Sequence, residues 1–325
     1  MNRPRRQFLR LTAGVAALPA AARFAWAQSY PSRPVRWVVG FAPGGGNDIV
    51  ARLMGQWLSE RTGQPFVIEN RPGGGTNIAT EAVINAPPDG YTLLLAGLPN
   101  ASNAALFSKL NFNFIRDIVP VAGIVRIPNV VVVNPSVPVH TIPQFIAYAK
   151  ANPNKINFAS AGNASAGHLA GEFFQMLAGV KLVHVPYRGN GPALTDLLGG
   201  QVDVLFASLP SAIEYIKAGK LRALAVTSAA RSEAQPELPT VGEFVPGYEV
   251  SAWFGVCVPK ATPAEVIDKI NREVNAGLAD PKLMARLADV GGIAIGGSPA
   301  DFGKVIADET EKWGKVIRAG NIKAE

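Results

Sequence analysis

Four glycine-rich clusters carry the chemistry in this chain. They read Phe41-Ala42-Pro43-Gly44-Gly45-Gly46-Asn47-Asp48, Asn70-Arg71-Pro72-Gly73-Gly74-Gly75-Thr76-Asn77, Ser160-Ala161-Gly162-Asn163-Ala164-Ser165-Ala166-Gly167-His168 and Tyr187-Arg188-Gly189-Asn190-Gly191. Each follows a predicted strand and precedes a predicted helix. Glycine lets backbone N–H groups approach a ligand, and the start of a helix favours an anion. Open α/β sheets bind ligands beyond the carboxyl ends of their strands, where these clusters fall. Four such loops suit a small anion held by neutral donors. Ordinary turn chemistry accounts for one or two of them without any ligand.

Other chemistries fit poorly. A dinucleotide fingerprint starting at Gly44 meets Ile49 where its last glycine is needed, and a Walker loop starting at Gly40 meets Gly46 where it needs lysine. The segment Asn163 to Gly167 resembles a nucleophile elbow without its first glycine. An exported hydrolase using Ser165 is therefore the weaker reading, and no enzyme is expected. His140, His168 and His184 are the only histidines and lack metal-ligand spacing, so no metal and no cofactor is expected. His168 reads as a hydrogen-bonding residue packed beside its loop. Asp48 either caps the first helix or reaches into the site. Asp203 sits at a strand start, as a strand-edge group or a polar contact between lobes. Cys257 is alone in the apolar stretch Trp253 to Val258, which excludes an intramolecular disulfide and suits a buried side chain.

The elements that must position these groups alternate. Val35 to Val39, Phe66 to Glu69, Tyr91 to Ala96, Val130 to Val133, Ile156 to Ala159, Leu182 to Val185, Val202 to Phe206 and Leu221 to Val226 read as strands. Helices are expected over 48–61, 78–85, 142–151, 166–178, 192–198 and 209–218. This rhythm means α/β with mostly parallel sheets. From Pro263 onward the chain reads as mainly helical, over 263–278, 281–289 and 299–318, with proline near each start. Boundary candidates lie between Val121 and Asn134 and between Ser228 and Glu243. A chain that leaves one α/β lobe and returns to it would form two lobes around a cleft.

The first residues form an address. Arg5-Arg6-Gln7-Phe8-Leu9-Arg10, a mildly apolar run from Leu11 to Ala22, and Ala25-Trp26-Ala27 give a basic region, an apolar region and a cleavage site in order. Residues 1–27 read as an export signal of the twin-arginine type. Pro19 and Arg23 interrupt the run, which is shorter than the ~20 apolar residues of a membrane span. The chain carries 31 Lys and Arg against 24 Asp and Glu, and removing the leader's five arginines leaves 26 basic residues. The mature protein is then nearly neutral, without a basic run for nucleic acid. No cysteine follows the apolar region, so no lipid anchor is expected and the protein should be free in the periplasm.

A family resemblance follows from an ordered set of motifs. Phe41-Ala42-Pro43-Gly44-Gly45 with Asp48 and Arg52, Asn70-Arg71-Pro72-Gly73, Pro88-Asp89-Gly90-Tyr91-Thr92-Leu93 and Ser160-Ala161-Gly162 with His168 are part of it. Tyr187-Arg188-Gly189, Gly200-Gln201-Val202-Asp203, Leu224-Ala225-Val226-Thr227 with Arg231, Pro239-Thr240-Val241 with Glu243, and Trp253-Phe254-Gly255 complete it. The chain resembles the Bug family, the periplasmic solute-binding proteins of tripartite tricarboxylate transporters.

The resemblance implies a two-lobed type II periplasmic-binding-protein fold with a hinge and a helical C-terminal part. The lobes would be residues 28–125 plus 228–325, and 126–227. It implies a small carboxylate ligand and two partners, a large and a small membrane subunit. A ligand-sensing subunit feeding a signalling receptor is the alternative, and a monomer is expected. The ligand-binding residues it implies are Phe41, Pro43, Gly44, Gly45 and Asp48 from the first loop, and Gly73, Gly74, Thr76 and Asn77 from the second. Ser160, Gly162, Asn163, Ser165, His168, Tyr187, Gly189 and Asp203 would come from the second lobe. Thr76, Ala79 and Ala164 stand where the family pattern suggests glycine, and an added side chain there removes backbone freedom.

Overall fold

The computed structural model describes residues 30–324, so the export-leader reading of residues 1–27 lies outside the described residues. The chain begins β1 (Val35–Val39), α1 (Gly46–Thr62), β2 (Phe66–Asn70), α2 (Asn77–Ile84), β3 (Thr92–Gly97), α3 (Leu98–Leu106) and α4 (Phe114–Asp117). It continues β4 (Ile118–Val133), α5 (Ile142–Ala151), β5 (Asn157–Ser160), α6 (Ala166–Ala178), β6 (Val183–Pro186), α7 (Asn190–Leu198), β7 (Val204–Ser208), α8 (Leu209–Lys217) and β8 (Arg222–Val226). It ends β9 (Ser251–Pro259), α9 (Ala264–Leu278), α10 (Pro281–Asp289), β10 (Ile293–Gly296) and α11 (Pro299–Gly320).

Local signals account for many of the boundaries. In α1 the buried Val50, Leu53, Met54 and Leu58 recur at helical spacing, and Gly63 ends the helix at φ 72° with its N–H on Ser59 O. Pro299 and a Ser298–Asp301 capping box start α11. The inner strands β3, β7 and β9 are buried along their whole length, whereas β2, β6 and β10 are partly exposed. Trp37, Met54, Leu93 and Val256 share one core cluster, Val130, Ala193, Leu197 and Leu205 another. A third holds Phe145, Phe158, Phe174, Phe206 and Trp313. Each such side chain removed from water contributes ~1.5–3 kcal/mol before chain entropy is counted.

The strand order is β2-β1-β3-β9-β4-β7-β5-β6, with β8 and β10 also on β4. The flanks are parallel, as the alternating pattern predicts: β1 with β2 and β3, and β5 with β6 and β7. The centre corrects the expectation of mostly parallel sheets. There β3–β9, β4–β9, β4–β7, β4–β8 and β4–β10 are all antiparallel. The cause is β4, read from the sequence only as Val130 to Val133. Its residues Ile118 to Pro128 pair with β9, and Asn129 to Val133 pair with β7 and β8. One strand therefore serves both halves of the sheet, and β9 runs back against it. From Pro263 onward the chain is mainly helical as expected, with the short β10 added against β4.

Where β4 changes partners, the connection after β8 is tied to it. Asn129 N donates to Thr227 Oγ1 at 3.0 Å, Thr227 N donates to Asn129 O at 2.8 Å, and Val250 N donates to Thr227 O at 2.9 Å. The outgoing and returning chain segments thus meet at one point, beneath the cleft.

Candidate functional site

The loop after β1 is held by one carboxylate. Asp48 lies in the first turn of α1 and is buried. Its Oδ2 accepts from Gly44 N at 3.1 Å and Arg52 Nε at 3.0 Å, and its Oδ1 accepts from Asn70 Nδ2 at 3.1 Å. Burial pushes its pKa up, but the hydrogen bonds from Arg52, Gly44 and Asn70 outweigh it and leave the group below the ordinary carboxylate range. Gly45 caps α1 without a side-chain bond, so the first N–H groups of that helix face the cleft uncapped.

The loop after β5 is held by neutral rings. Ser160 Oγ and His184 Nε2 lie 2.7 Å apart, and the His184 ring stacks on His168 with centroids 4.2 Å apart. His168 Nδ1 accepts from Ala164 N at 3.2 Å, and its own N–H donates to Ser165 Oγ. Burial lowers His168 to about 4; burial and the neighbouring His168 lower His184 to about 3. Both rings are therefore neutral at pH 7. Ser165 caps α6, and the imidazole of His168 is occupied by Ala164, so these two do not form a nucleophile–base pair.

The two halves meet at these loops. Ala42 N donates to Arg188 O at 3.0 Å. A Cβ on Gly189 would stand 3.0 Å from Ala42 Cβ, and one on Gly46 only 2.1 Å from Ser208 Oγ. These glycines permit close approach of one half to the other, a role beyond the ligand contact and turn chemistry expected of their loops.

A small inner pocket of about 40 Å³ lies between the halves. It is lined by Phe41, Gly46, Asn47, Leu98, Pro99, Asn129, Ala161, Ser165, Ala166, Gly167, Asn190, Phe206, Ser208, Ala252 and Phe254. The first residues of α1, α3, α6 and α7 and the residue preceding α8 all face it, so the positive ends of several helix dipoles converge there. None of the lining residues is ionisable. Among the described residues, four buried polar atoms on its wall have no hydrogen-bond partner: the donors Asn47 Nδ2, Asn129 Nδ2 and Ser208 Oγ, and the acceptor Asn190 Oδ1. Buried polar groups are nearly always paired, so a cluster of unpaired ones marks a place built for a polar guest. An outer compartment of about 540 Å³ adjoins it, sharing Phe41 and Ala161 and adding Gly73 to Thr76, Gly162, Asn163, Tyr187 and Arg188.

Of the residues expected from sequence, Phe41 and Ser165 line the inner pocket. Phe41, Gly73, Gly74, Thr76, Gly162, Asn163 and Tyr187 line the outer one. The Tyr187 phenol donates to Asp196 at 2.6 Å, and burial followed by that carboxylate raises it to about 12. Pro43, Gly44, Gly45 and Gly189 belong to the loops where the halves meet. Ser160 and His168 stand behind their loop as its support, and Asp48 is spent inside its own. Two residues lie elsewhere. Asn77 accepts from Asn103 Nδ2 at 2.6 Å and lines a separate pocket beside α3 and α4. Asp203 accepts from Asn157 N at 2.7 Å at the start of β7, roughly 17 Å from the Ser208 end at ~3.3 Å per residue. It is a strand-edge group at the wrong end of the strand.

Asn47, Asn129, Asn190 and Ser208 were missed. Asn47 and Asn190 stand inside the quoted loops, one step from glycines that drew the attention. Ser208 directly precedes a helix that begins Leu209-Pro210, a cap position. Asn129 carried no local signal, since its role depends on β4 passing between the halves. Among the described residues there is no cluster of three His, Cys, Asp or Glu side chains, and no helix is long and apolar enough to cross a membrane. Cys257 is buried, which pushes its thiol up.

Two α/β halves sharing a central strand, with helix starts converging on an uncharged pocket between them, define a ligand-binding receptor of the periplasmic-binding-protein type. The chain belongs to the tripartite tricarboxylate transporter receptor family, whose sequence model matches residues 50–322. It is 37% identical over 315 residues to protein BugT of Bordetella pertussis, covering 96% of this chain and 95% of that one. Among solved structures it is similar to Rpa4515 of R. palustris with adipate, at 37% identity and TM-score 0.88, covering 90% of this chain and 99% of that one. MatC from Rhodopseudomonas palustris with bound malate is similar at 32% identity and TM-score 0.84, covering 89% of this chain and all of the other.

Proposed function

We propose that this protein is a periplasmic solute-binding protein that captures a small carboxylate for a tripartite transporter. The convergence of several helix starts and three unpaired side-chain donors, on Asn47, Asn129 and Ser208, on one uncharged pocket carries the reading. Such a site holds an anion by N–H and O–H donors and by helix dipoles, with no counter-ion. The adipate and malate bound by two relatives support the ligand class. No step of chemistry is assigned: the role is capture and delivery, and the family points to a large and a small membrane subunit as recipients.

In this reading the ligand residues are those of the inner and outer compartments, with Asn47, Asn129, Asn190 and Ser208 added to Phe41, Ser165, Gly73, Gly74 and Thr76. Lobe 1 is residues 28–125 with 228–325, lobe 2 is 126–227, and the hinge runs through Asn129 and Thr227. The ligand closes the lobes by contacting both at once. The leader delivers the chain to the periplasm, and a monomer suffices.

Titration calorimetry on ligand-stripped residues 28–325 tests this. A carboxylate that binds should do so ~10-fold or more tightly than its amide, because a hydrogen bond to a charged group contributes ~1.5–3 kcal/mol. Saturable heat without product is the expected result. Equal affinity for acid and amide would defeat the anion reading.

A further inference from the structure

We propose that a second cavity, walled by α2, α3, α4 and α11, binds a small neutral aromatic molecule carrying one O–H or N–H donor, and that the second glycine loop of the cleft feels its occupancy. The cavity measures about 370 Å³, a size suited to a small molecule, and shares no lining residue with either compartment of the cleft. Leu110, Phe112 and Phe114 give it an apolar wall. Its single ionisable lining residue, Arg116, is gripped by its neighbour. Asp117 accepts from Arg116 Nε at 2.6 Å and from Nη2 at 2.7 Å. That leaves no free cation for a carboxylate, and the wall holds no anion for a cation. The chemistry of this cavity is therefore neutral, unlike that of the cleft.

The rest of the wall is rich in amides. Asn100 is engaged at both ends: its Oδ1 accepts from Gly97 N at 2.9 Å, and its Nδ2 donates to Thr80 Oγ1 at 2.8 Å. Asn103 is engaged at one. Its Nδ2 donates to Gly75 O at 2.7 Å and to Asn77 Oδ1 at 2.6 Å. A backbone carbonyl can only accept, so the Gly75 contact fixes which end of this amide is nitrogen. The other end, Oδ1, is a pure acceptor. Among the described residues it is the one buried polar side-chain atom of this wall without a partner. Asn103 is 2% exposed, so bulk water does not satisfy it, and the occupant must bring a donor. Apolar rings with a lone acceptor suit a phenol-like molecule, its ring against Phe112 and Phe114 and its hydroxyl on Asn103. The same amide clamps the carbonyl of Gly75, which lines the outer compartment of the cleft. A hydrogen bond accepted at Oδ1 polarises the amide and strengthens its donation to Gly75, so filling the cavity tightens the loop.

Phenol is the probe, with toluene and anisole as analogues: the first lacks the oxygen, and the second keeps it without the proton. An amide-resolved NMR titration of residues 28–325 should show saturable phenol shifts within residues 103–116. Toluene and anisole should bind about 3- to 10-fold more weakly, the net worth of one hydrogen bond. Asn103→Leu should erase that preference. Ala104→Phe sets a ring into the cavity from an exposed position of α3, where the fold tolerates it, and should abolish the shifts. The Thr76 amide shares a peptide unit with the Gly75 carbonyl. Its signal should move with phenol in wild type and stay still in Ala104→Phe. No saturable shift, shifts confined to the cleft, or shifts unchanged by Ala104→Phe overturn the site. Equal binding of the three probes by wild type overturns the donor requirement and the role of Asn103 with it. A Thr76 amide that stays still while residues 103–116 respond overturns the link to the loop.

Discussion

The loop after β1 and the loop after β5 do the same job with opposite chemistry. Each turns from a strand into a long helix and presents the start of that helix to the cleft. Each must be rigid, because hydrogen-bond donors aimed at an anion lose their value if they wander. The first is braced by an ionised carboxylate, with Asp48 gathering Gly44, Arg52 and Asn70. The second is braced by two stacked neutral imidazoles and a serine hydroxyl. A carboxylate brace needs its charge, and an imidazole brace needs to lack one. The two halves of the cleft should therefore respond to acid in different pH windows.

Acid should expose the largest difference. His168 and His184 have pKa values of about 4 and about 3 in the fold against 6.5 for the free side chain. The unfolded chain binds more protons below 6.5, so the stability these rings contribute is complete above that pH. It is lost as pH falls from 6.5 through the folded values. Each histidine should cost up to ~1.4 kcal/mol per pH step in that window. Urea titrations at intervals from pH 7 to 4 should show this fall, and a His168→Gln/His184→Gln double variant should flatten it. A wild-type profile flat down to pH 4 would mean that the rings are not held neutral by the fold. Asp48, below its ordinary value, keeps its contribution above about 3.8 and loses it only in stronger acid.

Breaking the other brace should cost somewhat less. Asp48→Asn keeps the size of the side chain but turns one acceptor into a donor facing N–H groups. Stability should fall by about 2–3 kcal/mol through three lost charge-assisted bonds. Arg52 is half exposed and regains water, which limits the loss. In the same urea titrations the variant's profile should drop as a whole and keep the wild-type slope between pH 6.5 and 4. A changed slope would show that the two loops are coupled, and the comparison between them would fail.

How much of this was legible in the chain follows from the range of each interaction. Helices such as Ile142–Ala151, Ala166–Ala178 and Pro281–Asp289 were readable to the residue, because their caps and apolar spacing are local. The glycine clusters were readable as strand-to-helix turns for the same reason. β9 was passed over because Trp253 to Val258 is uniformly apolar and carries no period. The length of β4 was hidden by Pro120, Gly123 and Pro128, which read as breaks but fall at or beside register shifts or where the strand changes partners. The site was half legible. Sequence found the loops that surround it, but the polar atoms that line it come from four separate elements. Asp203 drew attention by its charge, and only the direction of β7 reveals that it sits at the far end.

Smallest, and most discriminating, is the effect of two positions where a glycine was expected. Thr76 and Ala164 both lie in the left-handed region, at φ 74° and 65°. Both are buried, one in the second glycine loop of the first half and one in the loop after β5. A non-glycine residue there is strained by roughly 1–2 kcal/mol, more for a β-branched side chain. Thr76 adds a second burden, since its Oγ1 is buried without a partner. Ala164 carries only a methyl group, whose burial offsets most of its strain at ~0.8 kcal/mol. Glycine also costs about 0.4–1 kcal/mol through the greater freedom of the unfolded chain. Thr76→Gly should therefore raise stability by up to about 1 kcal/mol, whereas Ala164→Gly should give no gain or a small loss. Urea midpoints of the two variants at pH 7 decide it. Equal gains at both sites would mean that backbone strain alone sets the cost. A loss at Thr76→Gly would mean that its packing against Gly40 outweighs both burdens, so that the threonine is a wall of the pocket and not a strained substitute.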